Sequence, residues 1–550
     1  MSKTLFIIIV LGLVSFLWIE LNPSPYISTI VAPHHDLVAG YREEMFKDIA
    51  ARQDIDRFIL LSPDHYNIEE GKILVYPDSF STRFGEVNVD SDLVESVLNL
   101  GGEIGAATFE SEHGVKTILP DLARHFPESE IVPITVKHDI DLEGLDDFIE
   151  DLSEGCEDCV LIASVDLSHY QPNAISELHD KLSVRSLVNQ DPDLAINLSE
   201  VGAPHILRAA IKWSGLRDTN RFQTRFKTNS TMISGDLFEE GTTHIGGWYE
   251  AGERSEAPVS VTFTYAGDIL LDRGVENVIN KLGPASLLDR LGDRVLWGTD
   301  IVMANLEGPL TTEATLPVGA NNAPRFSFDP STVSQLGFLH INALNTKNNH
   351  NNDAGPAGAL QSEQILKANG IETTQRPIVT KGSEIDVVTF GVDVVGLEEL
   401  DASKFEPYAD DDAYRIVVYA HWGPEGELVQ SSTQERLARG WIDAGADLVV
   451  GTGPHVIQGA EVYNNRPIIY SLGNFIFDMQ RDHNTSHGLI VAGEFNGDGV
   501  ELVVSIIDST SIRPVLGRAQ TYDNEILRLL SGIEEFTTQS EGGVIFTIAR

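Results

Sequence analysis

The chain has 550 residues, 42% of them hydrophobic, enough for about two to four buried cores and too apolar for a disordered protein. Its 38 Lys and Arg stand against 83 Asp and Glu, a formal charge of -45. A field of that sign repels nucleic acid and no basic run overrides it, so nucleic acid is excluded as a partner and the acidity reads as solubility.

The first predicted element is apolar. Lys3 precedes the run 5–19, which is short for a spanning helix at ~1.5 Å rise per residue. It fits a signal-peptide core or a short uncleaved anchor over residues 1–24. Glu20-Leu21-Asn22-Pro23 offers no small-x-small cleavage site, which favours the anchor. The rest of the chain is then expected outside the cytoplasmic membrane, at the cell surface, with the membrane as a partner through this segment.

An α/β series over 28–250 follows. Strand patterns at 26–32, 57–62, 131–136 and 159–164 alternate with helical patterns at 43–52 and 142–152. The only two cysteines, Cys156 and Cys159, fit a local disulfide or two idle thiols better than a redox centre. A polar junction at 251–258 opens a second series over 256–520. Its strand patterns are 259–266, 300–304, 386–391, 414–420, 446–451 and 467–471, with helical patterns at 283–291, 362–368 and 433–444. Residues 521–550 read as a C-terminal tail with an amphipathic piece at 524–533. The fold class is therefore α/β: two α/β domains with mixed sheets after a hydrophobic anchor.

In the second series polar residues recur just past strand ends, the edge where open α/β sheets bind ligands. Gly267-Asp268, Asn305-Leu306-Glu307, Asn348-Asn349-His350, His421-Trp422-Gly423 and Gly453-Pro454-His455 all fall there. Carboxylate, amide and imidazole together suit Mn, Fe or Zn in a hydrolytic site. This ordered set, with Tyr470-Ser471-Leu472-Gly473-Asn474-Phe475, resembles the CapA family of capsule and poly-γ-glutamate synthesis proteins. That family is related to calcineurin-like metallophosphoesterases of four-layer fold. The resemblance implies metal ligands at Asp268, Glu307, Asn349, His421 and His455, and a catalytic pair of His350, as the acid for a leaving oxygen, and Asp353. The phosphoesterase pattern expects a His at Leu270, and CapA-like chains carry His residues where this chain has Thr452 and Gly453. The implied substrate is a phosphoester or a cell-envelope polymer. A non-catalytic module that binds and exports such a polymer remains the alternative.

The first series has its own histidines: His34 after Pro33, His65 in Ser62-Pro63-Asp64-His65, His113 in Glu112-His113-Gly114, and Asp166 and His169 after Ser164. Neutral imidazoles with a carboxylate suit Fe(II), Cu or Zn. With Gly40-Tyr41 and Phe84-Gly85-Glu86-Val87, these motifs resemble the Memo family, whose fold is like that of the class III extradiol dioxygenases (LigB). The resemblance implies metal ligands at His34 and His65, an Fe or Cu centre, and His113, Asp166 and His169 as polar or proton-transfer groups. The family's third ligand, a Cys, falls at Val201, which cannot coordinate. A retained scaffold or ligand-binding module therefore ranks ahead of a Memo-like redox metal protein.

Overall fold

The computed structural model describes residues 25–516, except 236–239, 256–259, 288–290, 292–294, 319–323, 397–399, 480–481 and 498, together with 537–539 and 543–549. The apolar run 5–19 expected as an anchor and the amphipathic piece 524–533 lie outside the described residues. Among the described residues no helix is long and apolar enough to cross a membrane.

The N-terminal half is one mixed sheet of ten strands. Glu130–Val136, Arg57–Pro63, Val160–Ser164 and Ile27–Ala32 lie side by side and parallel, in that order. Thr243–Glu250 and Arg221–Asn229 continue the sheet antiparallel. The parallel strands are buried on both faces, so they read as unbroken apolar runs rather than as alternation. Helix Leu142–Gly155 is capped by Asp141, which accepts from the Gly144 N–H. It buries Leu145, Phe148, Ile149 and Leu152, one stripe at helical spacing. The helix expected at 43–52 runs Ala39–Ala50, because a 3-10 turn at Asp36–Val38 feeds straight into it. Cys156 and Cys159 form a disulfide.

The C-terminal half has four layers. One sheet runs Glu372–Thr373, Ala343–Asn345, Ile301–Leu306, Ser260–Ile269, His487–Asn496, Gly499–Asp508, Gly543–Ala549, Thr537–Gln539. The second sheet has six strands, with Asp386–Asp393, Tyr414–His421, Leu448–Thr452 and Arg466–Ile469 parallel at its centre. Val261, Phe263 and Met303 meet Val417, Tyr419 and Val450 between the sheets. Helix Ser432–Asp443, opened by a Ser431/Gln434 capping box, covers the outer face of the second sheet with Ala438, Trp441 and Ile442.

Two expectations are corrected. The helix expected at 283–291 is Arg273–Leu282 instead. Asp272 caps it, Val275 and Ile279 bury one face, and Gly283 at φ 85° ends it; a 3-10 turn, Pro284–Leu287, follows, and 288–290 lie outside the described residues. The segment 521–550, set apart as a tail, contributes sheet: Gly543–Ala549 pairs antiparallel with Gly499–Asp508.

The halves pack on each other through helix Asn173–Asn189. Its Ile175 and Leu178 meet Ala492 and Val503 of the second half. Its Arg185 grips Asp300 through both terminal nitrogens, at 2.7 and 3.0 Å, and donates to the Ser260 carbonyl. Both side chains are nearly buried. Removing one partner of such a pair strands the other charge. Arg185→Ala is therefore expected to cost about 3 kcal/mol in denaturant unfolding of the full chain. A change indistinguishable from wild type would contradict this reading of the joint.

Candidate metal centres

The C-terminal strand ends bring five separated motifs together. Asp268 lies in the last turn of pleat of Ser260–Ile269, Glu307 follows Ile301–Leu306, and His421 ends Tyr414–His421 of the facing sheet. Asp268, Glu307 and His421 are 0%, 1% and 2% exposed, and each offers a donor atom within 4.8 Å of the others. The His421 Nε2 is 3.7 Å from Glu307 Oε1 and 2.9 Å from Asn349 Oδ1. The His455 Nδ1 lies 3.1 Å from Asp268 Oδ2 and 3.0 Å from Asn474 Oδ1. His455 holds a left-handed backbone at φ 58°, a strained conformation of the kind that aims a side chain at a site.

Burial and the neighbouring Asp268 charge push the Glu307 carboxyl up to about 8. Burial also opposes charge on Asp268, but the hydrogen bond and charge of His455 outweigh it and hold that carboxyl below its usual value. His455 is opposed by burial yet raised to about 9 by its contact with Asp268. Burial lowers His421 to about 4, so its ring is neutral at pH 7. Two carboxylates and a neutral imidazole converging in a water-poor site form a donor set that fits a divalent cation.

His350 and Asp353, expected as a catalytic pair, are hydrogen-bonded to each other. The His350 Nδ1 donates to Asp353 Oδ2 at 2.7 Å, leaving Nε2 turned toward Glu307 Oε1 at 3.9 Å. Asp353 is held in turn by Arg325 at 2.9 Å and by the Phe326 N–H at 2.9 Å. Arg325 carries no motif, and sequence reasoning missed it. The role of Asn305 was also missed. Its amide bridges Asp268 and Glu307, at 2.8 and 2.5 Å. The signal was its place two residues before Glu307, on the same side of one extended chain. Leu270, where the phosphoesterase pattern expects a His, is fully buried in an apolar cluster. Gly453 has no room for a side chain, since a Cβ would lie 2.8 Å from the Trp422 carbonyl oxygen.

In the N-terminal half, His34, His65 and Asp166 follow three adjacent parallel strands. The structure adds His113 to them. His34, His65 and His113 place donor atoms within 4.8 Å of one another. Their ring centroids are 4.9, 5.1 and 4.0 Å apart. His113, expected as a polar group of this site, stands inside the histidine cluster. His65 Nδ1 donates to Glu112 Oε1 at 2.6 Å, and Asp166 accepts from His244 Nδ1 at 2.8 Å. His169 is as expected a cavity-lining group, bonded through Nδ1 to the Leu167 carbonyl. A cavity of about 560 Å³ opens in front, lined by the cluster with Asp166, His169, Tyr170 and Glu240.

Comparison with known proteins follows the same division. Residues 262–374 and 401–479 match the family described as bacterial capsule synthesis protein PGA_cap. Residues 15–200 match the Memo-like protein family. The chain is 30% identical over 241 residues to "PGA biosynthesis protein CapA" of Bacillus subtilis (strain 168), covering 39% of this chain and 63% of that one. It is 29% identical over 248 residues to "Capsule biosynthesis protein CapA" of Bacillus anthracis, covering 40% and 60%. The N-terminal half is 24% identical over 179 residues to a "MEMO1 family protein" of Caldivirga maquilingensis, covering 30% and 62%. The chain thus spans less than two thirds of the length of each of these relatives. It joins a Memo-like N-terminal half to a C-terminal half like the bacterial capsule synthesis proteins.

Proposed function

We propose that the C-terminal half is a metal-dependent hydrolase site serving synthesis of a capsule or polyglutamate-type polymer of the cell envelope, in a chain tethered outside the cytoplasmic membrane by residues 1–24. The observation that carries this reading is the burial of Asp268 and Glu307 beside a neutral His421, within 4.8 Å. The disulfide Cys156–Cys159 supports an oxidising, extracytoplasmic setting.

A cation held by Asp268, Glu307 and His421 would supply a Lewis acid to a phosphoryl or carbonyl oxygen. The chain's own groups account for the remaining chemistry. Asp353 accepts the His350 Nδ1 proton, so Nε2 is the position at which the ring takes up a second proton from solvent and then gives it to a leaving oxygen. Arg325 holds Asp353 in place. Asn305 and the Gly453 N–H, 3.3 Å from Asp268 Oδ2, fix the carboxylates. Beside the His350 loop lies a cavity of about 260 Å³ lined by Thr346, Asn351, Asn352, Glu363 and Gln375. Its amide groups suit a polar chain segment better than an apolar ligand. One observation favours the second reading, a polymer-binding module without turnover: Leu270 stands where the phosphoesterase pattern has an imidazole, and Gly453 where CapA-like chains have one.

Two predictions follow from this site. The full chain loaded with Mn(II) should hydrolyse a phosphodiester such as bis(p-nitrophenyl) phosphate. Asp268→Asn should abolish metal and turnover together, while His350→Ala keeps the metal and loses about 10²–10⁴-fold in kcat. No turnover by metal-loaded wild type would leave the binding module. The second concerns protons. Glu307, pushed up to about 8, carries one at pH 7 when no cation is bound. A cation must displace it, so affinity should rise as pH rises toward 8 and flatten above about 9, once His455 has also lost its proton. Calorimetry at pH 7 in two buffers of different ionisation enthalpy should read at least about one proton released. Glu307→Gln should lose that release; a pH-independent affinity would contradict the assignment.

A further inference from the structure

We propose that His34, His65 and His113 form a second cation site in the N-terminal half, an all-imidazole one in which His113 supplies the third ligand that position 201 cannot. This goes beyond the hydrolase reading of the other half and does not depend on it.

Hydrogen-bond partners fix the tautomers. Ser164 has one hydroxyl proton and donates it to the Gly114 carbonyl at 2.5 Å. Its oxygen can therefore only accept from His34 Nδ1, 3.1 Å away, so that nitrogen carries the ring proton. Glu112, an acceptor, likewise fixes the proton of His65 on Nδ1 at 2.6 Å. Both rings thus present Nε2 as a lone pair, the arrangement in which one imidazole nitrogen is tied down and the other is left for a metal.

The consequence is sharpest at His34. Its Nε2 lies 3.3 Å from Asp166 Oδ2. With its proton on Nδ1, the ring turns the Nε2 lone pair toward that carboxylate oxygen, and both side chains are buried. A cation in front of His34 resolves that conflict, and Asp166 supplies the compensating charge. His113 reaches the same point from another element, the turn that begins helix His113–Lys116. Glu112, by accepting from the Gly114 N–H at 2.9 Å and from His65, ties that turn to the second strand end. Position 201 is the wrong place for a ligand in this chain: Val201 is 1% exposed and packs in the apolar core with Leu167 and Ala203. Its neighbour Gly202 lies against His169, where a Cβ would come within 2.4 Å of the ring.

Three neutral nitrogens with no thiolate select a borderline cation, Zn(II), Fe(II) or Cu(II), over a soft one. They cover one side of it, and the cavity of about 560 Å³ leaves the other side open to a small ligand.

The test is electron paramagnetic resonance of the full chain titrated with Cu(II). His350, His421 and His455 stand around the C-terminal cluster, so a spectral component split by three equatorial nitrogens is assigned to the N-terminal site by its persistence when His421 and His455 are both replaced by Ala. That component is expected in wild type and in Asp268→Asn. His113→Ala should convert it to a two-nitrogen component bound at least about 100-fold more weakly, and His113→Asn, a milder change at this 43% exposed side chain, should do the same. Val201→Ala should leave it unchanged. Absence of the three-nitrogen component in folded wild type, or its survival in both His113 variants, would overturn the proposal.

Discussion

Two acidic side chains buried next to each other are the constraint on which the C-terminal half turns. Asp268 and Glu307 end adjacent parallel strands, and water reaches neither. Like charges at that separation in a low-dielectric interior repel by several kcal/mol, and the protein side answers with a raised Glu307, a protonated His455 and a bridging Asn305 amide. A divalent cation answers it more fully, because it neutralises both carboxylates and takes the lone pair of a ring that burial keeps neutral. Much of the surrounding backbone serves this meeting. Gly267 lets the first strand end run against the 471–474 loop, where a Cβ would lie 2.0 Å from the Gly473 carbonyl oxygen. His455 accepts a left-handed conformation in the loop that closes the site.

The two halves solve one geometric problem twice. Parallel strands covered on both faces leave only their carboxyl ends free, so polar side chains from distant parts of the chain gather there. The difference lies in the donors. The C-terminal half gathers carboxylates and amides with one imidazole in the central cluster, a harder set. The N-terminal half gathers three imidazoles, with carboxylates one step behind them in Glu112 and Asp166. That contrast implies different cations and different chemistry on one chain, held in fixed relation by helix Asn173–Asn189 and the Arg185–Asp300 pair.

Strand ends were the legible part. Asp268, Glu307 and His421 each come at the end of an apolar run, and His455 follows one by a short turn through Gly453, so period and position alone brought them to one edge. The His350–Asp353 pair was legible because the residues are three apart in one turn. What stayed hidden depends on contacts between distant segments. Asn305 bonds across to Asp268 and His421, Arg325 reaches Asp353 from a loop without a pattern, and the tautomers in the N-terminal half are set by Ser164 and Glu112. His113 looked peripheral because it follows no strand; it enters the cluster through a short helix packed on Arg57–Pro63. The strand Gly543–Ala549 was missed because its partner, Gly499–Asp508, precedes it by a long connection that carries no turn signal of a hairpin.

The central claim is that Asp268, Glu307 and His421 hold one cation. Anomalous diffraction from crystals of the full chain grown with Mn(II) tests it most directly. The account predicts a peak at ~2.0–2.3 Å from a carboxylate oxygen of Asp268, one of Glu307 and a ring nitrogen of His421. Crystals with an ordered C-terminal half and no peak among these three side chains would contradict it.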